Sequence, residues 1–215
     1  MSEPSSPTTS PKWRRRADAR PAEIVQAAYE VFSEKGFASA RLDDIAKRAG
    51  VSKGALYLYF ETKQDIFEAV VKDAIAPNIG QIEAFALGFP GPFEQLIRLM
   101  MQRVGELAAL SGMGKVIKMV IGESGNFPGI ARIWHDDALA KGLGLLIRVI
   151  ERAQERGEVR KGDARNHAVS IMSPLLLGVI FHETFVPAGA KPFDIPSLMQ
   201  QHLDNVLPGL LTSRP

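Results

Sequence analysis

Residues 41–60, RLDDIAKRAGVSKGALYLYF, decide the fold of this chain. Apolar residues recur at helical spacing in the first half of the stretch, which gives a short helix one apolar side. The residues of that stripe are Leu42, Ile45, Ala46 and Ala49. Gly50 then interrupts the pattern, as glycine does where a helix ends with a positive φ, and Val51 can fill the corner. Ser52 follows as a candidate N-cap of a second helix.

The second helix is predicted over residues 53–60, and it is too short to be stable without packing. Leu56 and Phe60 lie four residues apart and are expected to face inward. The residues left toward the outside are Lys53, Gly54 and Tyr57. A capped, basic, aromatic short helix on a tight turn is the layout of a helix-turn-helix that reads DNA. An ordinary helical hairpin is the alternative that this stretch alone leaves open.

Residues 20–66 as a whole resemble the N-terminal domain of the tetracycline-repressor (TetR) family of one-component bacterial regulators. The resemblance is carried by ordered blocks of residues, which are Ile24, Ala27, Phe32, Gly36-Phe37, Asp44-Ile45-Ala46, Ala49-Gly50-Val51-Ser52, Gly54-Ala55-Leu56-Tyr57, Tyr59-Phe60, Lys63 and Ile66. The chain departs from the usual pattern at Ala40-Arg41, where a hydroxyl residue is common. It departs again at Ala55 and Leu58, where Thr and Tyr are common.

The position of these residues on the motif predicts how the chain contacts DNA. We expect Ser52, Lys53 and Tyr57 to carry most of the contact of the second helix, because they lie on its outward, N-terminal side. Arg41 and Lys63 flank the motif and are expected to hold phosphates. The complete predicted DNA-binding set is Arg41, Ser52, Lys53, Gly54, Tyr57, Tyr59 and Lys63. The resemblance implies a palindromic or near-palindromic double-stranded operator as the partner.

Composition narrows the compartment and the class of protein. The chain of 215 residues has no Cys, which excludes disulfides, thiolate metal sites and cysteine nucleophiles, and the start has no apolar signal segment. The longest apolar run, residues 171–181, is shorter than a bilayer requires. We therefore expect a cytoplasmic protein. The net charge is only +2, but residues 1–63 carry 11 Lys+Arg against 8 Asp+Glu, whereas the remainder carries 15 against 16. A local positive excess suits a DNA-binding head on a neutral body.

Helical periodicity continues along the whole chain without any β-type alternation, which predicts an all-α protein of about nine helices. We predict a disordered basic arm over residues 1–19, a helix-turn-helix DNA-binding domain over 20–66, and a ligand-binding and dimerisation domain over 67–215. Whether the arm, with its basic run 12–16, touches DNA or only solubilises the chain stays open. Pro21 is expected in the first turn of the first helix, and Pro77 at the end of the fourth.

No constellation of residues predicts catalysis, a metal site or a cofactor. Residues 122–126, GESGN, approach a G-x-S-x-G nucleophile elbow, but the second glycine is misplaced and no strand precedes it. His182-Glu183 begins like a zinc motif, but Val186 stands at the place of the second histidine. His135, Asp136 and Asp137 are adjacent on a helix and point in different directions. We therefore predict that the chain is not an enzyme.

The resemblance implies an effector pocket inside the body and a dimer interface on its last two helices. Candidate pocket residues are Met100, Met119, Phe127, Trp134, His135, Met172 and His182. Candidate interface residues are Leu175, Val179, Leu198, Met199, Leu203, Val206 and Leu210, because the last helix has little chain left to cover it. The predicted function is a homodimeric, ligand-responsive transcriptional regulator, in most family members a repressor, released by a small apolar or amphipathic effector. A dimeric adaptor without DNA binding and an all-α enzyme are the alternatives.

Overall fold

The computed structural model describes residues 12–110 and 113–212, with the side chains of residues 21–73, 78–108 and 114–212. This part of the chain forms nine helices and no strand, which confirms the predicted all-α class. They are α1 Lys12–Ser39, α2 Leu42–Arg48, α3 Lys53–Tyr57, α4 Lys63–Gly88, α5 Phe93–Leu110, α6 Met113–Glu123, α7 Pro128–Trp134 continued through a π-helical turn (His135–Leu139) into Ala140–Glu155, α8 Ala164–Thr184 and α9 Ile195–Leu210. A single β-bridge joins Val159 to Leu211.

The first helix begins earlier than the sequence indicated. Its backbone is helical from Lys12, so the prediction of a disordered arm is wrong for residues 12–19, while residues 1–11 lie outside the described part. The segment 12–20 is rich in Arg and Ala, which are good helix formers, and the penalty of Pro21 is confined to one hydrogen bond and its neighbouring turn. The side chains of the basic run 12–16 are not among those described. At Gly36 the helical path breaks, with φ at 75°, a conformation that glycine adopts readily at a helix end.

Three aromatic rings form the centre of the head. Phe32, Phe37 and Phe67 come from α1, the turn after Gly36, and α4, and their ring centroids lie 5.5 to 5.9 Å apart. Each ring is almost fully buried. Burial of one such side chain contributes about 1.5–3 kcal/mol relative to exposure, and tilted or edge-to-face pairs add to it. The three rings therefore hold α1 and α4 together in front of the helix-turn-helix.

Ion pairs tie α2 to α1 around this centre. Lys35 lies 2.9 Å from Asp44, and Arg48 reaches both Glu30 and Glu34, at 3.1 and 2.7 Å. The hydrogen bond from Lys35 lowers the pKa of the Asp44 carboxyl. These pairs are solvent-exposed, so each stabilises the head only modestly and chiefly fixes the orientation of α2.

The fourth helix runs further than predicted. It continues from Lys63 to Gly88, so the predicted end at Pro77 is wrong: one missing N–H does not stop a helix whose neighbouring turns are bonded. Thr62 and Asp65 form a reciprocal capping box at its start, with N···O distances of 2.8 and 3.1 Å. The chain divides after Val70, inside this helix, into two compact units.

The body unit is built around four helices. Its core is formed by α5, α7, α8 and α9, with α9 packed between α5 and α8. Gly105 of α5 permits the closest approach, because a Cβ at that position would lie 3.3 Å from the backbone of Pro196. Arg98 bonds Asp204 at 2.6 Å, and Gln200 donates to the carbonyl of Arg98 at 3.0 Å. The last helix is therefore covered by α5 along its length.

This covering corrects part of the predicted dimer interface. Val179, Met199, Leu203 and Leu210 are buried within a single chain and belong to the body core. The sequence argument assumed that nothing remained to cover the terminal helix. It did not foresee that α5, about a hundred residues earlier, packs on it. Leu175 and Val206 are half-buried against the same core, and Leu198 is half-buried.

The eighth helix is apolar on two sides. Its inner side is in the core, whereas Val169, Leu176 and Leu177 on its outer side are exposed, Leu177 by 63%. Residues 164–188 are long and apolar enough to cross a membrane by length and composition, with a mean hydropathy of 1.6 over 18 residues, although the shorter run 171–181 was predicted to be too short. Within the body, α8 packs on α5, α6, α7 and α9.

Candidate DNA-binding site and ligand groove

The turn between α2 and α3 is a Schellman motif. Gly50 has φ at 67°, its N–H donates to the carbonyl of Lys47 at 3.2 Å, and the N–H of Val51 donates to that of Ala46 at 3.0 Å. These are the two bonds by which a left-handed residue satisfies the last carbonyls of a helix. The predicted positive φ at Gly50 is confirmed. The chain is thereby turned through a fixed angle into the next helix.

Ser52 caps α3 as predicted. Its Oγ accepts the N–H of Ala55 at 3.1 Å, while its own backbone is extended. Leu56 is completely buried and anchors the helix in the head. The helix ends at Tyr57, three residues before the predicted end, and the N–H groups of Tyr59 and Phe60 close the next turn on the carbonyl of Leu56.

The outward side of α3 carries the predicted residues. Lys53, Gly54 and Tyr57 are exposed, as is Tyr59 beyond the helix end. Leu58 is 82% exposed and was not among the predicted contacts. The sequence did contain a signal for Leu58, because the residues on either side of it, 57 and 59, were both predicted to contact DNA. A large apolar side chain in the middle of a polar, aromatic surface indicates a contact surface.

Lys53 is not isolated on this surface. Its ammonium lies 2.9 Å from a carboxylate oxygen of Asp43, in the first turn of α2. The hydrogen bond to Asp43 raises the pKa of Lys53 above its usual value. Asp43 was not among the predicted site residues, because it is ten positions away and its proximity follows from the turn.

Lys63 occupies a different position from the predicted one. Its ammonium donates to the carbonyls of Phe37, Ala38 and Ala40, and it lies 4.5 Å from the centre of the Phe37 ring. A cation there satisfies carbonyls left unpaired after Gly36. This position contradicts the predicted role as an exposed phosphate contact. Arg41, by contrast, is exposed at the start of α2 with extended backbone.

A groove of about 390 Å³ lies in the body between α4 and α5. Its apolar lining comes from Ile82, Phe85, Leu99, Met100 and Leu107. The polar part consists of Asn78, Gln81, Gln102, Arg103 and Glu106, and the last two form an ion pair at 3.5 Å. A volume in this range with an apolar wall and a few polar groups is typical of small-molecule sites.

Most of the predicted pocket residues lie elsewhere. Met100 lines the groove, and His182 lines a second, smaller cavity of about 160 Å³. The side chain of His135 is 63% exposed and lies 2.7 Å from Asp136, so its prediction as a residue that lines a pocket inside the body is wrong. Met119 is buried, and Phe127, Trp134 and Met172 are half-buried, at neither cavity's lining. Helical spacing identified apolar residues but not which of them face empty space.

The described residues contain no group of three His, Cys, Asp or Glu side chains able to hold a metal ion. Ser124, from the near-match to a nucleophile elbow, lies just after α6, and its hydroxyl donates to the carbonyl of Ile121 at 3.3 Å. Instead, α3 is capped and follows a left-handed turn, and the body is all-helical with a groove large enough for a small ligand. These features define a helix-turn-helix regulator with a second domain that contains the groove.

Comparison with known proteins gives the family. Residues 24–70 match the model described as bacterial regulatory proteins, tetR family, and residues 94–194 match that of the AefR-like transcriptional repressor, C-terminal domain. The HTH-type transcriptional repressor BepR of Brucella suis biovar 1 (strain 1330) is 32% identical over 193 residues, 84% of this chain and 88% of that protein. The chain belongs to the TetR family of transcriptional regulators.

Solved structures agree with this assignment. The structure of FadR from Bacillus subtilis in complex with stearoyl-CoA superimposes with a TM-score of 0.71 at 25% identity, covering 87% of this chain and 98% of that one. The SmeT–triclosan complex gives a TM-score of 0.76 at 22% identity over 91% and 93% of the two chains. The fold of head and body is thus that of ligand-binding regulators.

The position of Lys63 gives a prediction for the head. The substitution Lys63→Met should lower the free energy of unfolding by about 1–3 kcal/mol, because it leaves part-buried carbonyls without their charged donor. Thermal unfolding measures this change. Lys47→Met, which removes the same charge from an exposed position of α2, serves as the control. A Lys63→Met protein with unchanged stability and a flatter salt dependence of DNA affinity would restore the phosphate role.

Proposed function

We propose that this protein is a cytoplasmic repressor that binds a palindromic or near-palindromic operator as a homodimer and is released by a small amphipathic effector. The observation that carries the proposal is the exposed, capped α3 in a chain 32% identical to the repressor BepR along most of both sequences. Occupation of the body by the effector would change the DNA affinity, and DNA would change the effector affinity by the same factor. The helix shared by both units, α4, is the proposed link.

The proposed DNA contacts are those of the outward side of α3 and its flanks. Tyr57 and Lys53 are proposed to reach base edges and phosphates in the major groove, with Ser52, Gly54 and Tyr59 beside them. Arg41 is proposed to bind phosphate. The exposure of these residues and the rigid cap of α3 support the proposal, because a base-reading side chain needs a fixed helix behind it.

Tyr57→Ala should weaken binding to operator fragments recovered from genomic DNA by about 1–3 kcal/mol, the usual magnitude for a lost base contact. Affinity is measured by fluorescence anisotropy. Tyr57→Phe isolates the hydroxyl, and Tyr29→Phe makes the same chemical change on α1. Full operator affinity in a folded Tyr57→Ala protein would remove Tyr57 from the interface.

We propose the groove between α4 and α5 as the effector site. Its apolar wall suits a hydrocarbon or aromatic body, and the amides with Arg103 suit a polar end. The stearoyl-CoA named for FadR from B. subtilis has this chemistry and is the most direct probe.

Stearoyl-CoA should raise the melting temperature of the protein and dissociate labelled operator DNA. Leu99→Glu, in the groove wall, should abolish both effects, because it places a charge against the apolar body of the ligand. Ile121→Glu makes the same type of change on α6, away from the groove. Retention of both effects in Leu99→Glu would exclude the groove, and no effect on the parent protein would exclude this effector class.

The outer side of α8 is the proposed dimer interface. It replaces the predicted interface residues that are buried in the body core, which are Val179, Met199, Leu203 and Leu210. Val169, Leu176 and Leu177 lie on one side of the helix and are about half-exposed or more. The half-buried Leu175, Leu198 and Val206 of α8 and α9 are the predicted interface residues that this proposal retains. Two copies of an apolar side meeting about a two-fold axis bury each other.

Leu177→Glu should convert the particle from twice the chain mass of 23.5 kDa to one chain mass, because an unpaired charge is costly in an apolar contact. Light scattering after size exclusion measures the mass. Leu139→Glu, on the π-helical turn of α7, is the control for an exposed leucine elsewhere. Persistence of the dimer in Leu177→Glu, with normal folding, would place the interface on another surface.

A further inference from the structure

Asp43 and Lys53 form an ion pair on the surface of the helix-turn-helix. The ammonium of Lys53 and a carboxylate oxygen of Asp43 are 2.9 Å apart, and the two side chains are 56% and 63% exposed. Lys53 is the first residue of α3, and Asp43 is in the first turn of α2. The Schellman turn at Gly50 sets the distance between these two positions.

This pair differs from the other ion pairs described in the head. Those of Lys35 and Arg48 join α2 to α1, and their acidic partners are Asp44, Glu30 and Glu34. Of the acidic residues in these described ion pairs, Asp43 is the one that contacts a residue of α3. Its carboxylate therefore acts on the helix that is proposed to enter the major groove.

The charge balance of the head makes a single carboxylate important. Residues 21–63 contain six Lys and Arg, which are Lys35, Arg41, Lys47, Arg48, Lys53 and Lys63. They also contain six acidic residues, which are Glu23, Glu30, Glu34, Asp43, Asp44 and Glu61. This segment has no net charge, so the positive excess of residues 1–63 comes from the basic residues before it. Because phosphate contacts dominate non-specific affinity, loss of one cation to an internal partner reduces that affinity directly.

We propose that Asp43 is an intramolecular counterion that competes with DNA phosphates for Lys53 and thereby suppresses binding to non-specific duplex. The inference rests on the DNA-binding function proposed above. It makes Asp43 a specificity-determining residue that acts through Lys53.

The physical argument is a competition between two anions. An exposed ion pair contributes little free energy, so a well-placed acceptor on DNA can take Lys53 from Asp43. In a non-specific complex the binding energy comes almost wholly from phosphates, and the competing carboxylate removes one such contact. In a specific complex, base-edge contacts of neighbouring residues add binding energy that does not depend on this charge. Asp43 therefore removes a larger share of the binding free energy from the non-specific complex than from the specific one. The raised pKa of Lys53 reflects the same stabilised ammonium.

The test uses the full chain and a fluorescein-labelled random-sequence duplex of about 30 base pairs, titrated by anisotropy from ~50 to ~300 mM KCl. Asp43→Asn should bind this duplex roughly 2–5-fold more tightly at the low-salt end, the most that a weak, exposed ion pair can withhold. The slope of log affinity against log salt should steepen by up to about one unit, as for one added phosphate contact. Glu23→Gln, on α1, makes the same change in net charge without contact to α3 and should have a much smaller effect.

A double-mutant cycle separates competition from general charge. Lys53→Gln should cancel the steeper salt slope of Asp43→Asn, so that Asp43→Asn changes neither affinity nor slope in the Lys53→Gln background. Thermal unfolding of each variant confirms that the head is folded. A wild-type protein that binds DNA, with Asp43→Asn no different from Glu23→Gln, overturns this inference alone. A wild-type protein that binds neither the random duplex nor any genomic fragment overturns the proposed function as well.

Discussion

The left-handed turn at Gly50 is the constraint on which the DNA-binding head depends. A helix of five residues cannot form by itself, because its nucleation cost exceeds what so few hydrogen bonds return. The turn delivers the chain into α3 at a fixed angle, Ser52 then satisfies an N–H of its first turn, and Leu56 anchors it in the core. Any residue with a side chain at position 50 would adopt this φ only with strain. The orientation of Lys53 and Tyr57 thus follows from a backbone angle outside the helix that bears them.

Electrostatics in the head serve geometry more than attraction to DNA. Arg48 and Lys35 bind carboxylates of neighbouring helices, and Lys63 binds carbonyls at the end of α1. Each of these cations holds two segments together and is therefore less available to bind a phosphate. Residues 21–63 have no net charge, and the positive excess of the head comes from the basic residues 12–20 at the start of α1. Non-specific affinity grows with every cation that can reach a phosphate.

In the body, α8 has to satisfy two environments at once. Its inner side packs with α5, α7 and α9, while its outer side carries leucines that a single chain leaves exposed. A contiguous apolar surface of this kind is typical of a site that contacts another molecule. The groove between α4 and α5 lies on a different part of the body, so a ligand and a second chain would occupy separate surfaces. This separation is compatible with a regulator that stays dimeric while its ligand state changes.

The sequence by itself determined the helical class, the Gly50 turn, the Ser52 cap and the outward position of Lys53 and Tyr57. These features depend on residues within one or two turns of each other, where periodicity and capping chemistry decide the conformation. Only the tertiary structure decided that Lys63 faces carbonyls of the turn after α1, that α5 covers Met199 and Leu203, and that Asp43 reaches Lys53. It also decided that His135 points to solvent and that the groove lies beside Phe85 and Leu99. An apolar or charged residue has several possible partners along a chain, and only the packing of distant helices selects one of them.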